Sequence, residues 1–443
     1  MHARKCGRPV RYASCDFVPL AWHAVGHDRS SAPHRRIDAG PGRVLHLAAQ
    51  GLLHKPRAKA TPQAVAQTIA RMQLLQIDTT HVVARSPYLV LFSRLGDYPM
   101  EWLDDLLAAG HLAECWAHEA CFVPAVDYPL HRAARPLREG HWAVRRAQEM
   151  LAEHPRDMAQ LLEHVRERGP VRSADFSRRR SGESGWWDWK PEKRWLEAWF
   201  ALGELMVLRR DRFQRVYDLT ERVGARHAAG RGPASPALAR RHMLARSIQA
   251  LGIARTAWIA DYFRLARVTR DELDELCAAG DALPVAVRGW DQPAYVHRAH
   301  AGLLERVVGG RVRATHTTLL SPFDPVVWDR RRAREMFGFE YTLECYLPAP
   351  CRRYGYFVLP ILHRGRLVGR LDAKSHRREG VFEVKSIYLE ADVELSSALE
   401  SALADAITAC ARWHQTSRIR LGKSQPRALV ARLRAALRQS RTA

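Results

Sequence analysis

The sequence predicts an α+β fold, mainly helical, built from tandem winged helix-turn-helix domains with a β-rich region towards the C-terminus. Three observations carry that prediction. Along the chain, sets of short amphipathic helices recur, each followed by strand-like segments. After Arg311 the apolar period changes from helical to alternating. The chain of 443 residues carries 70 Lys plus Arg against 47 Asp plus Glu, a formal charge of +23. Such a charge favours a polyanionic partner through phosphate contacts and counterion release. Compositional bias in the genome can also produce it. The length implies about two to four domains. No apolar run reaches membrane-spanning length, so a monomeric cytoplasmic protein with no membrane partner is expected.

Residues 1–42 lack apolar periodicity and read as disordered or as the product of a start codon placed too far upstream. The first winged region, 43–150, starts near Val44 with a helix over Leu45 to Leu53. Thr61-Pro62 is an N-cap followed by proline at the first helical position, and Val65, Ile69 and Met72 form one buried face. Ser86-Pro87 opens the next helix, which stops at Gly96, and Trp102 to Ala109 forms another. Cys115 to Val123 reads as a strand or wing, apart from His118-Glu119. A second winged helix, 151–235, has helices over Asp157–Arg168, from Ser173 and over Glu192–Leu202, then a hairpin of Leu205–Arg209 with Phe213–Leu219. The third, 236–310, has helices over Arg241–Leu251, Thr256–Leu265 and Arg270–Ala279, and pairs Ala282–Val287 with Pro293–His297. The β-rich region, 311–413, has a hairpin across Arg364-Gly365, a further strand over Val381–Leu389 and a closing helix over Ser396–Trp413. Residues 414–443 contain no acid and are expected to form a solvated basic tail.

The eight cysteines include no Cys-x-x-Cys pair. Cys115-x-x-His118-x-x-Cys121 lacks a second half, so buried thiols beside a hydrogen-bonded His are expected rather than a structural metal, and no cofactor is expected. Between the first two helices of the first unit lies Leu74-Leu75-Gln76-Ile77-Asp78. If that link is extended, Gln76 and Asp78 share one face and Ile77 takes the other. Taken locally, it is a capping Asp beside a chance Gln.

Several stretches together carry a resemblance. They are Leu74-Leu75-Gln76-Ile77-Asp78, Val83-Ala84-Arg85-Ser86-Pro87-Tyr88, Trp116-Ala117-His118-Glu119-Ala120, Gly185-Trp186-Trp187-Asp188-Trp189-Lys190-Pro191, Leu320-Ser321-Pro322-Phe323-Asp324-Pro325 and Cys345-Tyr346-Leu347-Pro348-Ala349-Pro350 with Arg352-Arg353-Tyr354-Gly355-Tyr356-Phe357. In this order, from about Val44 to Glu390, they resemble the YcaQ (AlkX) branch of the AlkZ-like winged-helix DNA glycosylases. The resemblance implies a C-shaped, DNA-embracing body that excises N7-alkylated purines and unhooks interstrand cross-links. It implies catalytic roles for Gln76 and Asp78, the aspartate version of a Gln-apolar-Gln/Asp signature.

The residue types suit that chemistry. N7-alkylguanine is cationic and leaves without a strong general acid, so a carboxylate is needed mainly to stabilise the oxocarbenium-like sugar and accept a proton from water. Gln76 can hold that water, and the usual two-carboxylate glycosidase device is not required. The motif has no lysine for a Schiff base, so hydrolysis without strand cleavage is expected. Further DNA-binding or site-lining candidates are His316, Thr318, Ser321, Asp324, His118, Glu119 and Arg85. Arg178, Arg179 and Arg180 lie where a winged helix presents its second helix, and Arg364 and Arg366 flank a hairpin turn. The rival reading is a non-enzymatic winged-helix transcriptional regulator with one sequence-specific site. An RNA-binding protein fits less well, because no aromatic platform motif is present.

Overall fold

Order begins earlier than periodicity suggests: the computed structural model, which describes residues 35–138, 140–176, 190–227 and 235–442, starts with strand β1 (Arg35–Ile37). Helix α1 (Ala39–Ala49) follows, so part of the stretch expected to be disordered is ordered. Three residues are too few to display alternation, and β1 owes its place to a partner far along the chain, Val285 to Val287.

Helix α2 (Pro62–Met72) starts as expected: the Ala64 N–H donates to Thr61 Oγ1 at 3.1 Å, and Val65, Ile69 and Met72 are buried. Strand β2 (Leu75–Gln76), helices α3 (Ser86–Leu95) and α4 (Glu101–Ala108), and strands β3 (Leu112–Trp116) and β4 (Ala120–Pro124) complete this part, with sheet order β2–β4–β3. Both faces of the β3–β4 hairpin are covered. Leu112 and Phe122 enter one core, while Ala113, Cys115, Cys121 and Val123 enter another, as a two-residue side-chain period requires.

Helices α5 (Tyr128–Ala133) and α6 (Trp142–Glu153) lead to α7 (Pro155–Arg168) and α8 (Pro191–Leu202). The hairpin of β5 (Leu205–Asp211) and β6 (Gln214–Leu219) turns at Arg212-Phe213, both with positive φ, before the short α9 (Thr220–Gly224). Next come α10 (Pro236–Leu251), β7 (Ile253–Ala254), α11 (Thr256–Tyr262), α12 (Arg270–Ala278), β8 (Ala282–Val287) and β9 (Ala294–His297). Their order repeats that of α2 to β4 element by element, and the sheet runs β1–β8–β9–β7. Helix α13 (Ala301–Val308) closes the series.

The C-terminal part forms a five-stranded sheet from β10 (Thr317–Leu319), β11 (Val358–His363), β12 (Arg366–His376), β13 (Val381–Leu389) and β14 (Arg418–Gln425), in that order. Helix α14 (Arg330–Phe337) lies between β10 and β11 in sequence, and α15 (Ser397–Trp413) between β13 and β14. Residues 414–442 are not a solvated tail. Strand β14 pairs in parallel with β13, and α16 (Ala428–Thr442) buries Leu429 and Leu433 in the core shared with α15. Arginine density hides this, because long basic side chains occupy the exposed face of the same helix whose Leu429 and Leu433 lie four residues apart. Arg432 even finds an acid, pairing with Glu400 at 2.8 Å. The architecture is thus mixed α and β, and among the described residues no helix is long and apolar enough to cross a membrane.

Candidate active site

The Gln76-Ile77-Asp78 link leaves α2 through Gln73, whose left-handed φ of 67° ends the helix and turns the chain into β2. Pairing with β4 fixes the register: Leu75 opposes Phe122, Gln76 opposes Cys121, and the Ile77 N–H donates to Ala120 O at 2.7 Å. Leu75 and Ile77 pack into one core and Leu74 into the other, so the link is extended and alternates as expected up to Ile77. Gln76 is more buried than expected, at 8% exposure, and Ile77 is only half-buried. The Gln76 amide makes no hydrogen bond among the described residues, so its donors and acceptor stay uncommitted.

Asp78 is half-buried, and its Oδ1 accepts the Thr80 N–H at 2.8 Å, a turn that fixes the carboxylate. Its Oδ2 accepts no hydrogen bond among the described residues. The Asp78 charge reaches a second loop: partial desolvation and that charge push up the Cys345 thiol and the Tyr346 phenol. Tyr346 is 75% exposed, so its ring is open to solvent within reach of the Asp78 charge.

The loop is tied from within. The buried Glu344 carboxylate accepts the Tyr354 and Gly355 N–H groups at 2.8 and 3.0 Å, and Arg352 Nε donates to Leu347 O at 2.9 Å. Gly355 has φ +144°, and a Cβ there would lie 2.4 Å from the Asp372 carboxyl. Arg370 stacks over Tyr354 at 4.4 Å. The Arg352-to-Phe357 motif therefore shapes the platform that presents Tyr346. Nothing in the motif's sequence alone indicates that role.

Several expected site-lining residues lie in the interior. Asp324 is fully buried and accepts from Arg94 Nη1 and Nη2 at 2.6 and 3.0 Å, while its Oδ1 also takes the Val326 N–H. Ser321 is buried and bonds the Ser86 hydroxyl at 2.9 Å, joining the start of α3 to the turn that follows β10. Thr318 is buried in β10, and His316 donates from Nε2 to Ser93 O at 2.8 Å. Burial holds His316 below the usual imidazole range. The motif around Ser321 and Asp324 is thus committed to interior bonds, a difference invisible until their partners Arg94 and Ser86 come together through the fold.

His118 stacks on Trp328 at 4.1 Å, and burial, with the Arg264 charge, keeps it neutral. Cys115 and Cys121 face each other in the β3–β4 register. Glu119 accepts from Trp142 Nε1 at 3.2 Å. Arg364, at the β11–β12 turn, is exposed, whereas the exposed Arg366 pairs with Asp392 at 2.6 Å. Arg178, Arg179 and Arg180, with Trp186, Trp187 and Trp189, lie outside the described residues. Arg85 lies 4.3 Å over the Phe213 ring, where the β5–β6 turn meets the start of α3.

A buried ion network anchors that hairpin. Glu114 on β3 accepts from Arg210 Nη2 and Arg215 Nε, each at 2.9 Å. Burial opposes the Glu114 charge, but the two guanidinium groups outweigh it and hold the carboxyl below its usual range.

Comparison with known proteins gives this geometry its context. The chain matches the AlkZ-like DNA glycosylases, described as "DNA glycosylase AlkZ-like", over residues 69–413. Its fold is similar to that of the Streptomyces sahachiroi DNA glycosylase AlkZ, with a TM-score of 0.58 and 16% identity, covering 87% of this chain and 99% of that one. The matched span contains Gln76, Asp78 and the Tyr346 loop, and it extends through three-quarters of the sequence. The chain belongs to the AlkZ-like DNA glycosylase family and is a DNA repair enzyme acting on DNA.

Proposed function

We propose that this glycosylase hydrolyses the N-glycosidic bond of N7-alkylated guanine in duplex DNA and unhooks interstrand cross-links, leaving the strand intact. The observation that carries this reading is Asp78: half-exposed, held by its Oδ1 in a turn, with Oδ2 uncommitted and its charge felt by the exposed Tyr346 phenol. The base is already cationic, so the remaining barrier lies in the sugar. Asp78 stabilises the oxocarbenium-like charge and accepts the proton of the attacking water. Gln76, two residues before it and uncommitted, orients that water. Tyr346 offers an electron-rich face to the cationic base. The recurring helix–strand–helix–helix–hairpin order supports tandem winged helices, and the motif series supports the YcaQ (AlkX) branch.

Single-turnover release of 7-methylguanine from a methylated duplex, and of a linked base from a cross-linked duplex, tests the reading. Asp78→Asn is expected to slow release by about 100- to 10,000-fold, the usual contribution of a positioned base. Release from the variant as fast as from the parent removes Asp78 from the mechanism. Failure of the parent on the cross-linked duplex alone restricts the substrate to mono-adducts.

A further inference from the structure

Past Asp78 the chain runs through His81 to Arg85, and this segment is fastened to the C-terminal sheet. The Ser375 N–H donates to Val82 O at 3.2 Å, and Arg377 donates to Val83 O. The same guanidinium lies 3.2 Å from His414 Nδ1. His414 is 4% exposed, and its Nε2 has no partner. Arg85 stands on the Phe213 ring, and its Nε is likewise buried and unpartnered. It is the residue that opens α3, and it supplies no side-chain cap there, so the positive end of the helix adds to the cluster.

Four basic side chains therefore converge, and among the described residues none is paired with a carboxylate. Elsewhere the protein matches buried guanidinium groups with acids: Arg94 with Asp324, Arg210 and Arg215 with Glu114, Arg370 with Glu390. Partial desolvation of the ring, followed by the charges of Arg377 and Arg85, holds His81 at about 4. His414 is held at about 3 by burial, then by Arg377 and His81. At neutral pH both imidazoles are uncharged, so the unpaired charge is that of the half-buried Arg85 and of Arg377, and it favours an anion that can reach them. His81 and Arg377 are exposed, so an anion can reach them.

We propose that His81, Arg85 and Arg377, backed by His414, form a receptor for one backbone phosphate of the DNA strand beside the reacting nucleotide. Planar guanidinium groups suit a phosphate oxyanion. His81 follows Asp78 by three residues, at most about 10 Å of extended chain, which places the phosphate within about three nucleotides of the attacked sugar. The receptor would fix the register of the strand so that the sugar meets Asp78. It rests on the assignment of Asp78 above for its position, and on the fold alone for its charge.

The test is a binding cycle with the full chain and an undamaged duplex, in which neutral methylphosphonates replace single phosphates across a central nucleotide. At one position the substitution is expected to weaken the parent about tenfold, the worth of one charge-assisted contact. Arg377→Gln should bind the unmodified duplex about tenfold more weakly and be indifferent to the methylphosphonate at that position. Arg377→Lys should recover part of the loss. Arg377 also bonds Val83, so melting curves accompany the series. If Arg377→Gln unfolds, Arg85→Gln, whose guanidinium donates no hydrogen bond among the described residues, runs the same cycle. Absence of coupling to any phosphate in the folded variants overturns the proposal. Base release is not measured in this cycle, so an enzyme inactive on alkylated guanine would refute the substrate reading while leaving the phosphate receptor to stand or fall by its coupling.

Discussion

Asp324→Asn discriminates between two roles for a residue that the sequence alone placed near the lesion. In the structure Asp324 is fully buried and holds Arg94 through two oxygens at 2.6 and 3.0 Å, and Arg94 Nε donates to Gln50 O at 2.9 Å. The substitution leaves a buried guanidinium without its counter-charge, which costs about 3–5 kcal/mol. Over 443 residues, an unfolding entropy of about 2.1 cal/mol/K per residue amounts to roughly 0.9 kcal/mol/K, so Tm falls by about 3–5 °C. Differential scanning calorimetry reads the shift, and single-turnover base release 20 degrees or so below Tm reads the chemistry. The expected pair of results is a lowered Tm with release within about threefold of the parent. An unchanged Tm with release slowed a hundredfold or more would refute the structural assignment and return Asp324 to the reaction.

Three further outcomes follow from the same geometry. Glu114→Gln should make acid unfolding less steep: the parent carboxyl is depressed when folded, so its contribution is present above about pH 4.3 and fades as pH falls through the folded value. Melting curves from pH 7 down to 3 read the difference in slope between parent and variant. Tyr346→Ala should weaken lesion binding by about 1–3 kcal/mol through lost stacking, without moving Tm, measured by KM and melting. Leu433→Ala should cost about 2–5 kcal/mol, because the residue is fully buried, whereas a solvated tail would tolerate the change. Denaturant unfolding decides that case.

Local signals were legible wherever one segment contains its own cause. Thr61-Pro62 caps α2, the alternation around Arg364-Gly365 forms a hairpin, and Val65, Ile69 and Met72 share a buried face. The terminal segments were misread because their reasons lie elsewhere. β1 needs β8, and the Arg-rich C-terminus needs the edge of β13 and the face of α15. Distance in sequence hides such partners, while charge on one helix face masks apolar residues on the other.

The candidate site divides in the same way. The sequence by itself determined the motif, its place after an amphipathic helix and the chemical types that suit a cationic leaving group. Tertiary structure decided which polar residues remain free for that chemistry. Ser321 and Asp324 were drawn inward because Ser86 and Arg94 arrive to satisfy them, and a buried polar group is kept where its partners are. Asp78 keeps an uncommitted oxygen, its charge reaches Tyr346 on a distant loop, and Arg85 and Arg377 converge without an acid to pair them. Those conjunctions involve residues hundreds of positions apart, and only packing brings them together.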